Sequence, residues 1–275
     1  MASALGQTLG EVEVIVVDDG SVPPVQLEPD PRVRLVRHDR AAGLPGARNA
    51  SLAAARGRYV TFLDDDNLLL PDMAERSLAA IDRSRLPPPV AAVSGLEVVG
   101  SDGRVLDVRL PPSHPRGDHY SLEPLPAGRS HMTKHTLVAE RELLAELGGY
   151  DERFRSREHA DLFLRLNPIC SIEGLPEVTT RVFRTAGPHL SRDHRGLLEG
   201  FGAFTRKHAG LLEAHPHGHA DALLGHARMS LVAGPRRGAP VAIARALRVA
   251  PAHTLRALLD PRRAVALVRT WSSSG

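Results

Sequence analysis

Three consecutive acidic residues, Asp64 to Asp66, follow a short apolar stretch whose residue types predict a β-strand. Like charges so close together repel, so each carboxylate needs water or a cation. A turn before the helix predicted from Pro71 explains one aspartate as a helix cap, but not three. Carboxylate oxygens suit Mg²⁺ or Mn²⁺, which take one or two protein carboxylates together with substrate phosphates. The triplet therefore predicts a divalent-cation site, with a solvated turn as the alternative.

A second acidic pair, Asp18 and Asp19, ends the apolar run "EVEVIVV", which is typical of a strand buried in a parallel sheet. Ligands of open α/β sheets bind beyond the carboxyl ends of the strands. A carboxylate there can accept a hydrogen bond from a ribose hydroxyl or a base N–H group. The alternative is a turn, because Asp, Gly and Ser are common turn residues.

A third cluster lies in "RSREHADLFLRL", where the apolar spacing predicts a helix from about Glu158. Glu158 and Asp161 are three residues apart, so they are neighbours on one helix face. Glu158 and His159 are both able to act as a general base near neutral pH. The alternative is an acidic first turn that complements the helix dipole.

The elements around these clusters predict a layered α/β domain. Strand and helix patterns alternate through residue 84, a strand pair joined by a turn follows over 90–110, and "ICSIEGLPEVTTRVFR" returns to strand character. From about residue 193 the chain is rich in Ala, Leu, Arg and His with helical periodicity. We therefore expect a main domain over 1–192 and a helical C-terminal region over 193–275.

Composition narrows the class of protein. The chain has 275 residues, 42% of them hydrophobic, and a net charge of only +3 without a dense Lys/Arg run, which argues against a nucleic-acid partner. Cys170 is the only cysteine, which excludes an intrachain disulfide, fits a reducing compartment and predicts a small core residue. No secretory signal or run of about 20 apolar residues is present. We expect a cytoplasmic protein, with peripheral membrane association left open.

The order of the three clusters carries a resemblance. "VIVVDDGS", then "GLPGARNASLAAARGRYVTFLDDDN", then "GGYDERF…REHADLFLRL" together resemble the family 2 glycosyltransferases, over about residues 5–192. The resemblance implies the GT-A fold of nucleotide-diphospho-sugar transferases, a Rossmann-like mixed sheet flanked by helices. It also implies a nucleotide-sugar donor, with a UDP-sugar favoured, an acceptor hydroxyl on a glycan or another molecule, and Mn²⁺ or Mg²⁺ at the diphosphate.

The resemblance also assigns roles to residues. It implies nucleoside contacts for Asp18 and Asp19, and a donor pocket lined by Arg48 and Asn49. Asp64 and Asp66 match the metal-binding aspartate pair of the family's DXD motif, with Asp65 between them near the ribose or the metal.

The third cluster departs from the family pattern, which usually has Glu-Asp where this chain has Glu158-His159. The resemblance implies that one of these two residues is the catalytic base and does not choose between them. Asp161 is then a structural residue or an acceptor contact, and His189 matches a position able to reach the metal or the diphosphate.

The family also begins with a strand and a helix before "VDDGS", so roughly 25–30 residues are expected to be missing here.

Three functions follow as hypotheses. The first is a metal-dependent, inverting hexosyl- or N-acetylhexosaminyl-transferase. The second is a non-catalytic relative that binds a glycan or nucleotide sugar or serves as a scaffold. The third is a nucleotidyltransferase, although the glycine-rich basic loop that it needs is not visible. Four histidines of a predicted long loop are expected to be acceptor contacts or exposed residues: His114, His119, His131 and His135.

Overall fold

The computed structural model describes residues 1–184, 194–233 and 236–260, and its contacts divide the chain into two compact units. The first unit comprises 1–120, 125–153 and 158 up to the first gap. The second comprises 121–124, 154–157 and the described residues from 194 onward. Each unit is therefore assembled from separate stretches of the chain.

The described residues form eight strands, ten α-helices and one short 3-10 helix, Lys134–Thr136. The strands are β1 Val14–Asp18, β2 Val33–Arg37, β3 Tyr59–Thr61, β4 Asn67–Leu69, β5 Val90–Val99, β6 Val105–Arg109, β7 Val138–Glu140 and β8 Ser171–Phe183. The helices are α1 Ala2–Leu5, α2 Gly43–Ala54, α3 Met73–Arg83, α4 Arg141–Glu146, α5 Glu158–Leu166, α6 His194–Lys207, α7 Ala209–Ala214, α8 Pro216–Ala233, α9 Gly238–Val249 and α10 Pro251–Leu259.

Two sheets form the strand layer of the first unit. β1 and β2 pair in parallel as a two-stranded sheet. The other six strands form a mixed sheet in the order β3-β7-β5-β8-β4, with β6 beside β5. In this sheet β5 and β8 run parallel, and the remaining pairs are antiparallel. The predicted α/β class with a mixed sheet is confirmed.

The sequence did not predict two of the strands. β4 and β7 have three residues each, which is too short for a periodic pattern to separate a strand from a turn. Both are defined by their partners: β4 pairs with β8, and β7 lies between β3 and β5. Both strands therefore depend on pairing with segments that are distant in the sequence, which a local pattern cannot show.

The core of the first unit lies between α5 and the sheet. Leu162, Phe163 and Leu166 of α5 are fully buried, and the Phe163 ring lies 4.8 Å from that of Tyr120. Each such side chain contributes about 1.5–3 kcal/mol of hydrophobic stabilisation. Cys170 is fully buried in the same core, as predicted. In the described ranges, no helix has the length and apolar content that crossing a bilayer requires.

The second unit is helical. α8 and α9 pack against each other, as the predicted helix pair requires, and a core of Phe201, Leu223 and alanines joins α6 to them. Two helical glycines allow loop segments to lie close to the helix backbone. A Cβ atom on Gly200 would lie 2.1 Å from Ser156 Oγ, and one on Gly218 would lie 2.5 Å from Leu122 Cα. Both segments that interrupt the first unit are thus held against helices at positions where no side chain fits.

Candidate active site

A buried arginine joins two of the three predicted clusters. Arg48 of α2 is only 5% exposed, and its guanidinium donates hydrogen bonds to Glu158 Oε1 at 2.9 Å and to Asp64 Oδ1 at 2.8 Å. The planar fork of an arginine can engage two carboxylates at once, whereas a lysine ammonium is a point charge. Because a buried charge must be paired, Arg48 fixes the start of α5 beside the aspartate triplet.

The aspartate triplet forms a turn between β3 and β4. The Asn67 N–H group donates to the Asp64 carbonyl at 3.1 Å, and Asp65 and Asp66 are exposed, while the Asp64 carboxylate is directed at Arg48. In the described part of the chain, the three carboxylates do not converge into a ready-made three-ligand cluster. Mg²⁺ and Mn²⁺ need only one or two carboxylates when substrate phosphates complete the shell. The donor set therefore fits a divalent ion bound together with a phosphorylated ligand.

The third cluster begins at the first residue of α5, as predicted. His159 is 7% exposed, and its Nδ1 lies 3.3 Å from the Tyr150 hydroxyl. Among the described residues, buried His159 Nε2 has no hydrogen-bond partner, and it lies 3.9 Å from Glu158 Oε1, which is too far for a hydrogen bond. Burial, followed by the charges of Arg48 and of nearby cationic groups, holds the pKa of His159 well below its ordinary value. His159 is therefore a neutral imidazole at physiological pH.

Two further residues form this part of the site, and sequence reasoning gave neither of them a specific role. The His135 ring packs edge-on against His159 with centroids 4.8 Å apart. Its pKa is lowered chiefly by burial, and the carboxylates of Asp64 and Glu158 act on it in the opposite direction. Tyr150 was visible only as an apolar ring in "GGYDERF". A buried tyrosine usually has a hydrogen-bond partner for its hydroxyl. That rule was the one available signal that Tyr150 would contact another polar residue.

Asp161 occupies a structural position. It is fully buried and pairs with Arg165 at 2.9 Å, one helical turn along α5. Arg165 also donates to the carbonyls of Leu147 at 3.0 Å and Gly149 at 2.7 Å. The pair thus ties α5 to the segment that carries Tyr150. Of the two roles expected for Asp161, structural residue or acceptor contact, these contacts favour the structural one.

Asp18 also has partners within the protein. It is 2% exposed and accepts hydrogen bonds from the N–H groups of Ser21 at 2.8 Å and Val25 at 3.0 Å, while Arg37 of β2 forms an ion pair with it. These two backbone hydrogen bonds, with Arg37, hold the pKa of its carboxyl far below the ordinary range. Asp18 therefore holds the loop after β1, and its direct contact with a nucleoside stays a prediction.

Asp19 anchors the start of α2. Its carboxylate accepts from the N–H groups of Ala42 and Gly43, both at 2.8 Å, and lies 2.7 Å from His38 Nδ1. The first N–H groups of a helix have no partner inside the helix, so a carboxylate there is stabilising. Asp19 remains partly exposed, with 25% of its side chain accessible.

Asn49 links α2 to the residues before α5. Its Oδ1 accepts from Tyr150 N at 2.8 Å, and its Nδ2 donates to Tyr150 O at 2.9 Å and to Glu152 Oε1 at 2.9 Å. The amide thus binds the backbone of Tyr150, and its expected place in a donor pocket stays a prediction. His189, the remaining expected site residue, lies outside the described residues.

The loop histidines differ from the expectation of exposure. His114 is 5% exposed, its Nε2 lies 3.3 Å from His131 Nε2, and its Nδ1 lies 3.1 Å from Asp118 Oδ2. Burial, with the charges of Lys134 and His114, lowers the pKa of His131 to about 3. A sequence without periodicity could not show that residues 17 apart in a loop would pair.

Comparisons with known proteins show what the N-terminal part of the chain is similar to. Residues 1–101 match the family model described as Glycosyl transferase family 2. The succinoglycan biosynthesis protein ExoO of Rhizobium meliloti (strain 1021) is 46% identical over 108 residues, which are 38% of this chain and 30% of that protein. WfaP of Escherichia coli, a UDP-Glc:alpha-D-GlcNAc-diphosphoundecaprenol beta-1,3-glucosyltransferase, is 38% identical over 69 residues, 24% of this chain and 28% of that protein.

Solved structures add a weaker likeness. S. aureus TarS 1-349 in complex with UDP gives a TM-score of 0.47 at 15% identity, over 90% of this chain and 83% of that chain. The chain spans about a third or less of the length of the two curated relatives. The family match, together with the mixed α/β architecture, confirms the resemblance to family 2 glycosyltransferases and the predicted fold class.

Proposed function

We propose that this chain, whose residues 1–101 belong to glycosyl transferase family 2, moves a sugar from a nucleotide-diphosphate donor to an acceptor hydroxyl. The observation that carries the proposal is the Arg48 bridge, in which one guanidinium donates hydrogen bonds to both Asp64 and Glu158. Sugar transfer needs carboxylates for the cation at the diphosphate and a separate base for the acceptor. This arrangement supplies both at one site.

Asp64 and Asp66 are the residues that would hold Mn²⁺ or Mg²⁺, with Asp65 beside them near the ribose. Such an ion stabilises the negative charge that develops on the departing diphosphate. Arg48 supports the same end of the donor, because a guanidinium binds phosphate oxygens in a forked geometry. Asp18, Asp19 and Asn49 contribute indirectly, since they hold the loop after β1, the start of α2 and the Tyr150 segment.

Glu158 is the general base in this proposal. Both nitrogens of His159 are enclosed, one beside the Tyr150 hydroxyl and the other with no exposed surface. The Glu158 carboxylate removes the proton from the acceptor hydroxyl while the oxygen of that hydroxyl attacks the anomeric carbon of the donor sugar. The bond to the nucleoside diphosphate breaks on the opposite face, so a single displacement inverts the configuration and needs no protein nucleophile.

The donor is proposed to be a UDP-sugar that carries a hexosyl or N-acetylhexosaminyl group, and the acceptor a hydroxyl of a saccharide. Two relatives support the choice of nucleotide, because the names of WfaP and WfgD of Escherichia coli specify UDP-Glc as donor. A cytoplasmic location stays a prediction from the single cysteine. Peripheral membrane association likewise stays a prediction.

A non-catalytic relative that binds a nucleotide sugar is the second candidate. It is favoured by Asp18 and Asn49, whose polar atoms are already bound within the protein. It is also favoured by β1, which in the described ranges pairs with β2 alone. Binding of UDP without turnover of any UDP-sugar would establish this candidate.

The test of the leading proposal is UDP release from a panel of UDP-sugars by wild type and by Glu158→Gln. We expect the variant to lose about 10²–10⁴-fold in turnover, the contribution of a general base, while it still binds UDP. Glu146→Gln, at an exposed position on α4, is the matched control. Equal turnover of Glu158→Gln and wild type would remove Glu158 from this role.

A further inference from the structure

We propose that Tyr150 and His159 are positioning residues for Glu158, as members of a hydrogen-bonded chain that closes when Arg48 releases the Glu158 carboxylate. In the closed chain the Tyr150 hydroxyl donates to His159 Nδ1, and His159 Nε2–H donates to the carboxylate. The inference rests on the proposed function in taking Glu158 as the base, but the geometry of the chain can be tested without any turnover.

The first link is already present. The Tyr150 oxygen lies 3.3 Å from His159 Nδ1, and the two rings meet edge to face with centroids 5.5 Å apart. Burial, together with the carboxylates of Glu158 and Asp64, raises the pKa of Tyr150, although Arg48 acts against this. The phenol therefore keeps its proton and is able to donate it to the imidazole.

The second link fixes which nitrogen of His159 carries the proton. Nε2 has no hydrogen-bond partner in the described residues, and the Glu158 carboxylate lies near it, with Oε1 at 3.9 Å. An ionised carboxylate only accepts hydrogen bonds. A bare Nε2 lone pair would face carboxylate lone pairs, whereas Nε2–H faces an acceptor. The electrostatics therefore select the Nε2–H tautomer, which the Tyr150 donor on Nδ1 requires as well.

A movement of about 1 Å would close the second link, because an N–H···O hydrogen bond spans about 2.9 Å. Arg48 opposes this movement by holding the same oxygen, Glu158 Oε1, at 2.9 Å. A diphosphate is a competing anion for that guanidinium. Once Arg48 turns towards a phosphate, Glu158 loses a cation partner and His159 offers a neutral donor in its place.

The other groups around His159 do not offer Nε2 an alternative partner. His135 contacts the ring edge-on, and Lys134 donates to the His131 carbonyl at 2.6 Å while lying over the Tyr120 ring. An unsatisfied buried N–H group is destabilising, because it has lost its hydrogen bonds to water. Closing the chain removes this destabilisation, so donor binding and orientation of the base are coupled.

The Tyr150 hydroxyl is not needed to hold its own segment. The backbone of Tyr150 is fixed by two hydrogen bonds with Asn49, and its ring packs on Phe62 with centroids 5.2 Å apart. Tyr150→Phe keeps all of these contacts and removes only the link to His159. Tyr59→Phe, on the half-buried strand β3, removes a hydroxyl outside the site and is the matched control.

The direct test is nuclear magnetic resonance of protein with ¹⁵N-labelled histidines, with His159→Gln used to assign the signals. We expect the Nε2–H tautomer for His159 in wild type and a mixture of tautomers in Tyr150→Phe. Addition of UDP with Mg²⁺ should move the Nε2–H signal downfield and slow its exchange with water. The Nδ1–H tautomer in wild type, or an Nε2–H signal that bound UDP leaves unchanged, would overturn the inference.

The kinetic test separates a positioning role from a structural one. Tyr150→Phe should lower turnover of UDP-sugars about three- to tenfold, the value of one neutral hydrogen bond, with the donor KM unchanged. Tyr59→Phe should leave both constants as in wild type. A Tyr150→Phe variant with unchanged turnover, or one that changes only the donor KM, contradicts the inference. Absence of UDP binding would instead sink the proposed function, while the tautomer of His159 in the free protein would still be measurable.

Discussion

At the scale of single residues, the site depends on one buried cation between two carboxylates. Removing one partner of a buried ion pair costs about 3–5 kcal/mol. Asp64 is 28% exposed, so water compensates part of that loss. We therefore expect Arg48→Met to lower the free energy of unfolding by about 2 kcal/mol, measured by urea denaturation.

The control for this prediction is Arg58→Met, which breaks a surface pair with Glu140 in which the arginine is 75% exposed. That change should alter stability by less than about 0.5 kcal/mol. If Arg48→Met destabilises the protein no more than Arg58→Met does, the Arg48 bridge does not form in solution.

The neutral histidines predict how stability depends on pH. The pKa of His159 is lowered by burial and by Arg48, and that of His135 is lowered chiefly by burial. Between these folded values and the unfolded value of about 6.5, the unfolded chain binds protons that the folded protein does not. The free energy of unfolding should therefore fall as pH drops from 7 to 5, by up to about 1.4 kcal/mol per pH unit for each histidine.

His159→Gln provides the test of this assignment. The variant should show a shallower loss of stability between pH 7 and 5 in urea denaturation at each pH. An unchanged slope would mean that His159 is accessible to protons in the folded protein, and the buried neutral imidazole would then be the wrong description.

Residue roles could be predicted from sequence only where neighbours in the chain decide them. The start of α5 at Glu158 followed from local spacing, whereas the exposed turn at Asp65 and Asp66 was only the alternative to the predicted cation site. The partners of Asp18 could not be predicted, because Arg37 and the Val25 N–H group reach it from other segments. The sequence pattern of an acidic residue at a strand end is the same whether its side chain binds a ligand or the backbone of a loop.

At the scale of elements, close approach between a helix and a loop segment is the most testable feature. Gly200 of α6 faces Ser156, and an added Cβ atom would lie 2.1 Å from its Oγ and 2.8 Å from its carbonyl oxygen. We expect Gly200→Ala to destabilise the protein by about 1–3 kcal/mol through overpacking, as measured by urea denaturation.

Gly225 of α8 is the matched position, because no described residue lies within 4 Å of a Cβ atom there. Gly225→Ala should stabilise the helix by up to about 1 kcal/mol, the difference in helix propensity. Two glycine-to-alanine changes in one helical unit should thus have opposite signs. The same sign at both positions would contradict the packing of residues 154–157 on α6.

Element types were predictable where the pattern is long. α3, α5, β5 and β8 each lie within a segment whose period indicated the correct type. The sequence also indicated the long irregular stretch between β6 and β7, although not the burial of its histidines. The short strands β4 and β7 are defined by strands that are distant in sequence and pair with them, which no local pattern records.

At the scale of the whole molecule, the two units share the chain in an interleaved way. Residues 154–157, directly before Glu158, belong to the helical unit, as do residues 121–124. A shift in composition along the sequence can mark only a contiguous boundary, so it could not reveal these two segments. The predicted boundary at residue 192 lies outside the described residues and stays a prediction.

The central claim concerns the whole molecule: the aspartate triplet and the Arg48 site serve a nucleotide diphosphate. The most direct measurement is calorimetric titration of UDP into the purified protein, with and without Mn²⁺, repeated for Asp66→Ala and for Asp82→Ala on the exposed face of α3. We predict Mn²⁺-dependent binding that is lost in Asp66→Ala and retained in Asp82→Ala. Absence of UDP binding by the wild type, or binding that depends neither on Mn²⁺ nor on Asp66, would contradict the account.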